Sequence, residues 1–309
     1  MRLEGIHHVT AITGDAPRNV DFYTRVLGLR LVAKTVNQDD PTVYHLFYAD
    51  EDGSPGGDIT FFEYPGARPG RAGAGMAHRV VWRVGSPEAL DFWAERLARE
   101  GVPAGRSGGS LIFGDPEGLA HELVVSEADE SLIAHHPEIP AELALRGFEG
   151  VRAHSFRPEA SAALLERLLG ARALGGDGWE LRGDRRGGTI RFDPAPAGRG
   201  ASGAGTVHHV AWGATVADHP RWEELLQTAG VRTSGIIDRH YFRSIYFREP
   251  GGILYEIADF GPGFTRDLPL DELGTKVILP PWLEQQRSEV EAILTPLPDP
   301  RAGWVTSRS

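Results

Sequence analysis

One pattern of strand, helix and closing strands recurs along this chain, and an internal repeat constrains the architecture more than any single residue does. From His8 to Phe22 is 14 residues, and from His78 to Phe92 is again 14. From Pro116 to Glu122 is six residues, and from Pro250 to Glu256 is again six. In the first copy Ile6 to Thr13 reads as a strand. Gly14-Asp15-Ala16-Pro17 then opens a helix, with Asp15 as its cap and Pro17 in its first turn. That helix carries Val20, Phe22, Tyr23, Val26 and Leu27 and stops at Gly28. Strands over 30–36, 44–48 and 58–63 follow, the last after the turn Gly53-Ser54-Pro55-Gly56-Gly57. The second copy has a strand over 77–84, a helix capped by Ser86-Pro87 and a closing strand over 119–125. A third, degraded copy runs from Val151 through a helix at Glu159 to Leu169 and ends at 187–192. The fourth spans His208-His209-Val210 to Tyr255-Glu256-Ile257.

Each copy is a βαβββ unit whose sheet has an apolar face that needs cover, so units must pair. The expected class is α+β, with four such modules at 1–66, 74–128, 147–195 and 206–260 forming two half-barrel sheets. Loops at roughly 65–76, 129–146 and 194–205 separate the copies. Residues 261–309 form an extension with one expected helix, Trp282 to Leu294. The Gly-rich runs near 73–75 and 198–205 lack the strand–helix setting of a phosphate loop and read as linkers. Trp82, Trp93 and Trp212 are expected in the core.

The chain has no cysteine, which removes disulfides, thiolate ligands and a Cys nucleophile, so any metal here takes His and carboxylate. A net charge of -11 argues against a nucleic-acid or anionic-membrane partner. No apolar run reaches the length of a membrane span, and the first residues have no signal-like apolar region, which fits a cytoplasmic location. The oligomeric state, single chain or homo-oligomer, stays open.

The histidine doublets His7-His8 and His208-His209 occupy similar places in the first and fourth copies, and Glu256 closes the fourth. Strand alternation puts His8 and Thr10 on one face and His7 on the other, and likewise separates His209 from His208. Two imidazoles and a carboxylate make a metal site with open positions. His78, Glu122 and His154 offer a rival set, and the spacing alone does not choose between them. Six residues beyond Pro55 stands Phe61 rather than a carboxylate, so the first copy is expected to supply no fourth ligand. Glu63, two residues on, enters only by a register shift. The other histidines, His135-His136 among them, are expected in loops or facing solvent.

His8-Val9-Thr10, Phe22-Tyr23 and Leu27-Gly28, with Pro250-Gly251-Gly252 and Glu256, resemble the vicinal oxygen chelate modules of the glyoxalase and extradiol dioxygenase superfamily. Ile6 to Thr10, Lys34-Thr35-Val36-Asn37-Gln38-Asp39-Asp40-Pro41, Arg239 to Glu256 and Leu279-Pro280-Pro281-Trp282-Leu283-Glu284 are similar to the hydroquinone ring-cleaving dioxygenases. The resemblance implies iron(II), or manganese(II), held by His8, His209 and Glu256, and units one and four as partners. It also implies His7, His208, Thr10, Arg239 and Tyr246 around the metal, Arg239 steadying a phenolate oxygen and Tyr246 bonding substrate or oxygen. His7 or His208 is the expected acid or base. The expected activity is insertion of O2 into a hydroquinone-type ring. The alternatives are a catechol extradiol dioxygenase, a glyoxalase-like lyase or isomerase, and a non-catalytic aromatic-binding protein.

Overall fold

The computed structural model describes residues 1–302 and 304 of the 309-residue chain. The first unit comprises β1 (Ile6–Thr13), α1 (Ala16–Asp21), β2 (Arg30–Asn37), β3 (Asp40–Ala49) and β4 (Asp58–Glu63). The second has β5 (Met76–Val84), α2 (Pro87–Arg99), β6 (Ala104–Ser107), β7 (Ser110–Gly114) and β8 (Ala120–Val125). The third has β9 (Phe148–His154), α3 (Pro158–Arg167), β10 (Arg172–Gly175), β11 (Gly178–Arg182) and β12 (Gly187–Phe192). The fourth has β13 (Thr206–Ala214), α4 (His219–Thr228), β14 (Thr233–Asp238), β15 (Arg243–Arg248) and β16 (Leu254–Asp259), and α5 (Arg287–Ile293) lies in the extension.

The strands form two eight-stranded sheets, ordered β14-β15-β16-β13-β1-β4-β3-β2 and β10-β11-β12-β9-β5-β8-β7-β6. Units one and four share the first sheet and units two and three the second, so the chain is α+β with four βαβββ units in two pairs. In each sheet the two first strands of the units meet antiparallel at the centre, β1 on β13 and β5 on β9, flanked by the parallel closing strands.

The caps act as their sequence dictates. Asp15 accepts the backbone N–H of Arg18, and Ser86 that of Ala89. The first helix widens after Asp21 into a π-turn over Phe22–Val26, with Leu27 N–H reaching Phe22 C=O at 2.9 Å, and ends at Gly28 with φ 72°. Short strands such as β6, whose residues are all exposed, carry no apolar alternation and were illegible in the sequence.

The linkers read as separators pair with each other instead, through bridges Pro69–Ala204, Arg71–Ala201 and Ala74–Arg199. A Cβ on Gly73 would lie 2.5 Å from the Gly200 nitrogen, so glycine here permits backbone contact. The expected helix over 282–294 is shorter: a 3₁₀ turn at Glu284–Gln286 leads into α5. The extension covers the edge strand β2, where Ile278 N–H meets Lys34 C=O at 2.8 Å and buried Lys34 donates to the carbonyls of Thr275 and Leu297. Covering that edge removes a pairing template.

A buried polar chain joins the two sheets. Trp82 Nε1–H donates to His121 Nδ1 at 3.0 Å, which leaves the His121 proton on Nε2, facing the Tyr23 hydroxyl at 3.0 Å. Tyr23 in turn donates to Asp115 Oδ2 at 3.1 Å. The described tryptophans of the core, Trp82, Trp93 and Trp212, are fully buried.

Candidate metal centre

β1 and β13 pair in a register that explains both histidine doublets. His8 faces Ala211, Val9 faces Val210 and Thr10 faces His209, with breaks between Ile6 and His8 and between Thr10 and Ala11. His7 and His208 are the extra residues of these two bulges. A bulge re-aims its side chain, which is how His7 and His208 come beside His8 and His209 although strict alternation points them away. Their Nδ1 atoms lie 2.9 Å (His7 to His8) and 2.8 Å (His208 to His209) apart.

Three side chains converge on the concave face. His8 Nε2 and His209 Nε2 are 3.2 Å apart, and Glu256 Oε2 lies 3.2 Å from the first and 2.9 Å from the second. Glu256 is fully buried, and neither carboxylate oxygen has a hydrogen-bond partner. A buried carboxylate in that state calls for a cation. A metal with bonds of about 2.1 Å separates its ligand atoms by about 3.0 Å at right angles and about 3.4 Å in a tetrahedron, and edges of 2.9 to 3.2 Å have the size of such a site. His8, His209 and Glu256 would hold a metal through three protein ligands, which leaves positions for other ligands. Among the described residues this is the one group of three or more His, Asp or Glu whose ligand atoms lie close enough to hold a metal.

The protons around it are fixed by an ordered chain. The Asp259 carbonyl can only accept, so His7 Nε2, 3.2 Å away, carries a proton. Burial, and then the neighbouring His8, lower the His7 pKa to about 3, so the ring is neutral and its Nδ1 accepts from His8 Nδ1–H. The lone pair of His8 is then on Nε2, aimed at the shared point. Burial likewise lowers His209. Glu256 is pushed up by burial but pulled well below the usual carboxylate range by the two imidazoles.

The remaining expected residues divide. Tyr246 pairs with Glu256 across β15 and β16, and its ring packs edge-on at 5.6 Å from that of His209. Arg239 stacks over Tyr246 at 5.3 Å and is gripped by Asp39 through two bonds of 3.1 and 2.9 Å. Arg239 and Tyr246 line a cavity against His8 and His209, with Phe47, Phe62, Phe242 and Gln38. Thr10 does not line it; its hydroxyl bonds Thr60 at 2.8 Å, and Thr60 holds His45 Nε2 at 2.9 Å. His45 does line the cavity. Sequence reasoning missed it; its one signal was a lone histidine within the aromatic and apolar run from Val43 to Ala49.

The register also corrects which residue occupies the fourth-ligand position. Thr10 faces Thr60 as Ala211 faces Glu256, so the counterpart of Glu256 is Thr60, five residues after Pro55, not Phe61. Phe61 points to the opposite side, 4.7 Å from Tyr23. Glu63 accepts the N–H of Ala16 at the start of α1 and stays out of the site.

The rival set does not assemble. In the second sheet Val81 faces Glu122 as Ala211 faces Glu256, which puts Arg79 in the place of His209 and Gly150 in that of His8. Arg79 donates to Glu122 at 2.9 Å, filling the space with a cation of the chain's own. His78, a bulge residue there, bonds Asp193 at 2.8 Å and stacks on His154 at 4.0 Å. The spacing match between His8 and His78 was thus one residue out of true.

A family model, the Glyoxalase/Bleomycin resistance protein/Dioxygenase superfamily, matches residues 5–123. The "Putative ring-cleaving dioxygenase MhqO" of Bacillus subtilis is 42% identical over 94% of this chain and 96% of its own length. The chlorohydroquinone/hydroquinone 1,2-dioxygenase of Sphingobium indicum is 34% identical over 94% of this chain and 95% of its own. The crystal structure of a "putative dioxygenase" from Bacillus subtilis superposes with a TM-score of 0.91 at 40% identity, covering 96% of this chain and 98% of that one. The chain belongs to the glyoxalase/bleomycin resistance protein/dioxygenase superfamily. Within it, the protein is one of the ring-cleaving dioxygenases.

Proposed function

We propose that the protein is an iron(II)-dependent dioxygenase that opens hydroquinone-type rings, with His8, His209 and Glu256 as its metal ligands. The observation that carries this reading is the buried, hydrogen-bond-free Glu256 carboxylate within 3.2 Å of both imidazole nitrogens. Two imidazoles and one carboxylate with an open face are the donor set of non-haem iron oxygenases. Thr60 at the fourth position argues against a fourth carboxylate ligand. The hydroquinone class is supported by the 34% identical relative that acts on chlorohydroquinone and hydroquinone.

Iron(II) bound there would supply the electron path between an electron-rich phenolate and O2. The chain's own residues do the rest. Phe47, Phe62 and Phe242 give the ring apolar walls. Arg239, immobilised by Asp39, presents a fixed positive charge to an ionised ring oxygen, and the Tyr246 hydroxyl donates a hydrogen bond beside it. His45 and Asn37 offer polar groups to a second hydroxyl. His7 has both nitrogens engaged, so it positions His8 and does not take the substrate's proton. In the net reaction the ring bond between a hydroxylated carbon and its neighbour breaks. One oxygen atom goes to each end, leaving a carboxylic acid and an aldehyde or ketone.

Metal analysis of protein purified without oxygen, with oxygen uptake on a panel of hydroquinones and catechols, tests the reading. Uptake with hydroquinones on an iron-loaded enzyme is expected. Uptake with catechols alone assigns the substrate to the other class, and protein that takes up neither iron nor manganese overturns the proposal.

A further inference from the structure

Next to the metal centre lies a recess of about 320 Å³, distinct from the aromatic cavity. His209 lines both spaces. The recess is built rather than incidental. Phe156 forms one wall, and its ring lies where side chains at Gly75 and Gly252 would otherwise stand: an added Cβ would come within 2.5 and 2.9 Å of it. Both glycines have positive φ, 86° and 101°, so the wall depends on glycine twice over. Arg199 lies over the same ring at 5.4 Å.

The polar groups of the recess are cationic or neutral. Arg199 and Arg248 both line it, and among the described residues neither has a carboxylate within ion-pair distance. Arg248 spends one N–H on the Gly252 carbonyl, and its charge reaches His208. His208 is exposed here, with Nδ1 on His209 and, among the described residues, no hydrogen bond to Nε2. On a chain of net charge -11, two unpaired guanidiniums beside an exposed imidazole form a local exception to the overall field. Guanidinium recognises planar carboxylate through paired N–H donors. The volume suits a small organic acid.

We propose that this recess is a second ligand site, for a small carboxylate, and that the acid formed by ring opening is its ligand. The identity of that acid rests on the ring-cleaving reading above; the anion preference does not. A carboxylate held by Arg199 and Arg248 hydrogen-bonds His208 Nε2, and through the His208–His209 contact it alters a metal ligand without entering the aromatic cavity. Product then restrains turnover from outside the aromatic cavity, so inhibition is not competitive with the aromatic substrate.

The test is calorimetric titration of the iron-loaded protein with cis,cis-muconate, a stable ring-opened dicarboxylate. Arg248→Gln or Arg199→Gln weakens binding about fivefold each, the size expected for one exposed charge contact, and the double variant weakens it about 25-fold. On the wild-type protein, the uncharged muconamide fails to bind, a control that needs no variant to fold. Equal binding of muconate and muconamide, unchanged affinity in the folded double variant, or inhibition strictly competitive with hydroquinone overturns the proposal. Hydroquinone turnover in the same preparation keeps the two readings apart. Turnover without muconate binding sinks only this site, and muconate binding without turnover sinks only the ring-cleaving assignment.

Discussion

Replacing His7 by Phe removes the residue that sets the proton on His8. The new ring keeps the apolar contacts His7 makes with Phe242 at 5.0 Å and Phe260 at 5.8 Å, so packing is largely preserved. His8 can hold a metal only with its lone pair on Nε2, which puts its proton on Nδ1. In the variant that buried N–H has no acceptor, because His7 Nδ1 at 2.9 Å was its partner. A buried donor left unpaired costs about 1–3 kcal/mol. The metal-free protein escapes the cost by moving the proton to Nε2, where Glu256 accepts it, so the loss falls on metal binding. At about 1.4 kcal/mol per tenfold, iron(II) affinity should drop about 5- to 150-fold, in the range usual for a lost partner of a metal-bound imidazole. His208→Phe is the control. His208 is exposed whereas His7 is 4% exposed, so water replaces the lost acceptor and the drop should stay below about fivefold. Anaerobic competition with a chromogenic chelator measures both. Equal losses, or a greater loss from His208→Phe, would refute the tautomer chain running from Asp259 through His7.

Three other outcomes follow from the same structure. Tyr246→Phe should lower kcat about 100-fold with KM little changed, as for the loss of one transition-state donor; an unchanged kcat removes Tyr246 from the chemistry. Tyr23→Phe strips partners from His121 and Asp115 in the buried chain between the sheets and should cost about 2–4 kcal/mol; an unaltered thermal midpoint contradicts that. Burial lowers His121 to about 3 and His78 to about 4, so below pH 6.5 the unfolded chain binds protons there that the folded chain refuses. Stability must therefore fall on acidification from pH 7 to 5. Asp115, raised by burial to about 6, works in the opposite direction over a narrower range; a higher midpoint at pH 5 than at pH 7 would show the sign is wrong.

Much of the fold was legible because long strands with apolar alternation, capped helices and the repeat itself are local signals. β4 and β12 were read with the bounds the structure has. What escaped was register. The bulges at His7 and His208 add a residue that alternation cannot see, and they decide which histidine of each doublet faces the site. Pro55 precedes the equivalent position by five residues where Pro250 precedes Glu256 by six, which moved the fourth position from Phe61 to Thr60. Strands such as β6 and β10 escaped because their exposed residues have no buried face to mark them. The roles of His45 and Asp39 were hidden for a further reason: each depends on a partner far along the chain, Asp39 on Arg239 and His45 on the cavity opposite, and spacing within a unit carries no such information.

We propose that His8, His209 and Glu256 hold an iron that supports oxygen-dependent opening of a hydroquinone ring. The most direct measurement is oxygen consumed per hydroquinone by protein loaded anaerobically with iron(II), run beside Glu256→Ala and Glu122→Ala. One O2 per hydroquinone is expected for the wild type and for Glu122→Ala, with Glu256→Ala binding no iron and consuming no oxygen. Iron-loaded wild type that leaves hydroquinone and oxygen untouched, or a Glu256→Ala variant that keeps its iron and its activity, would contradict it.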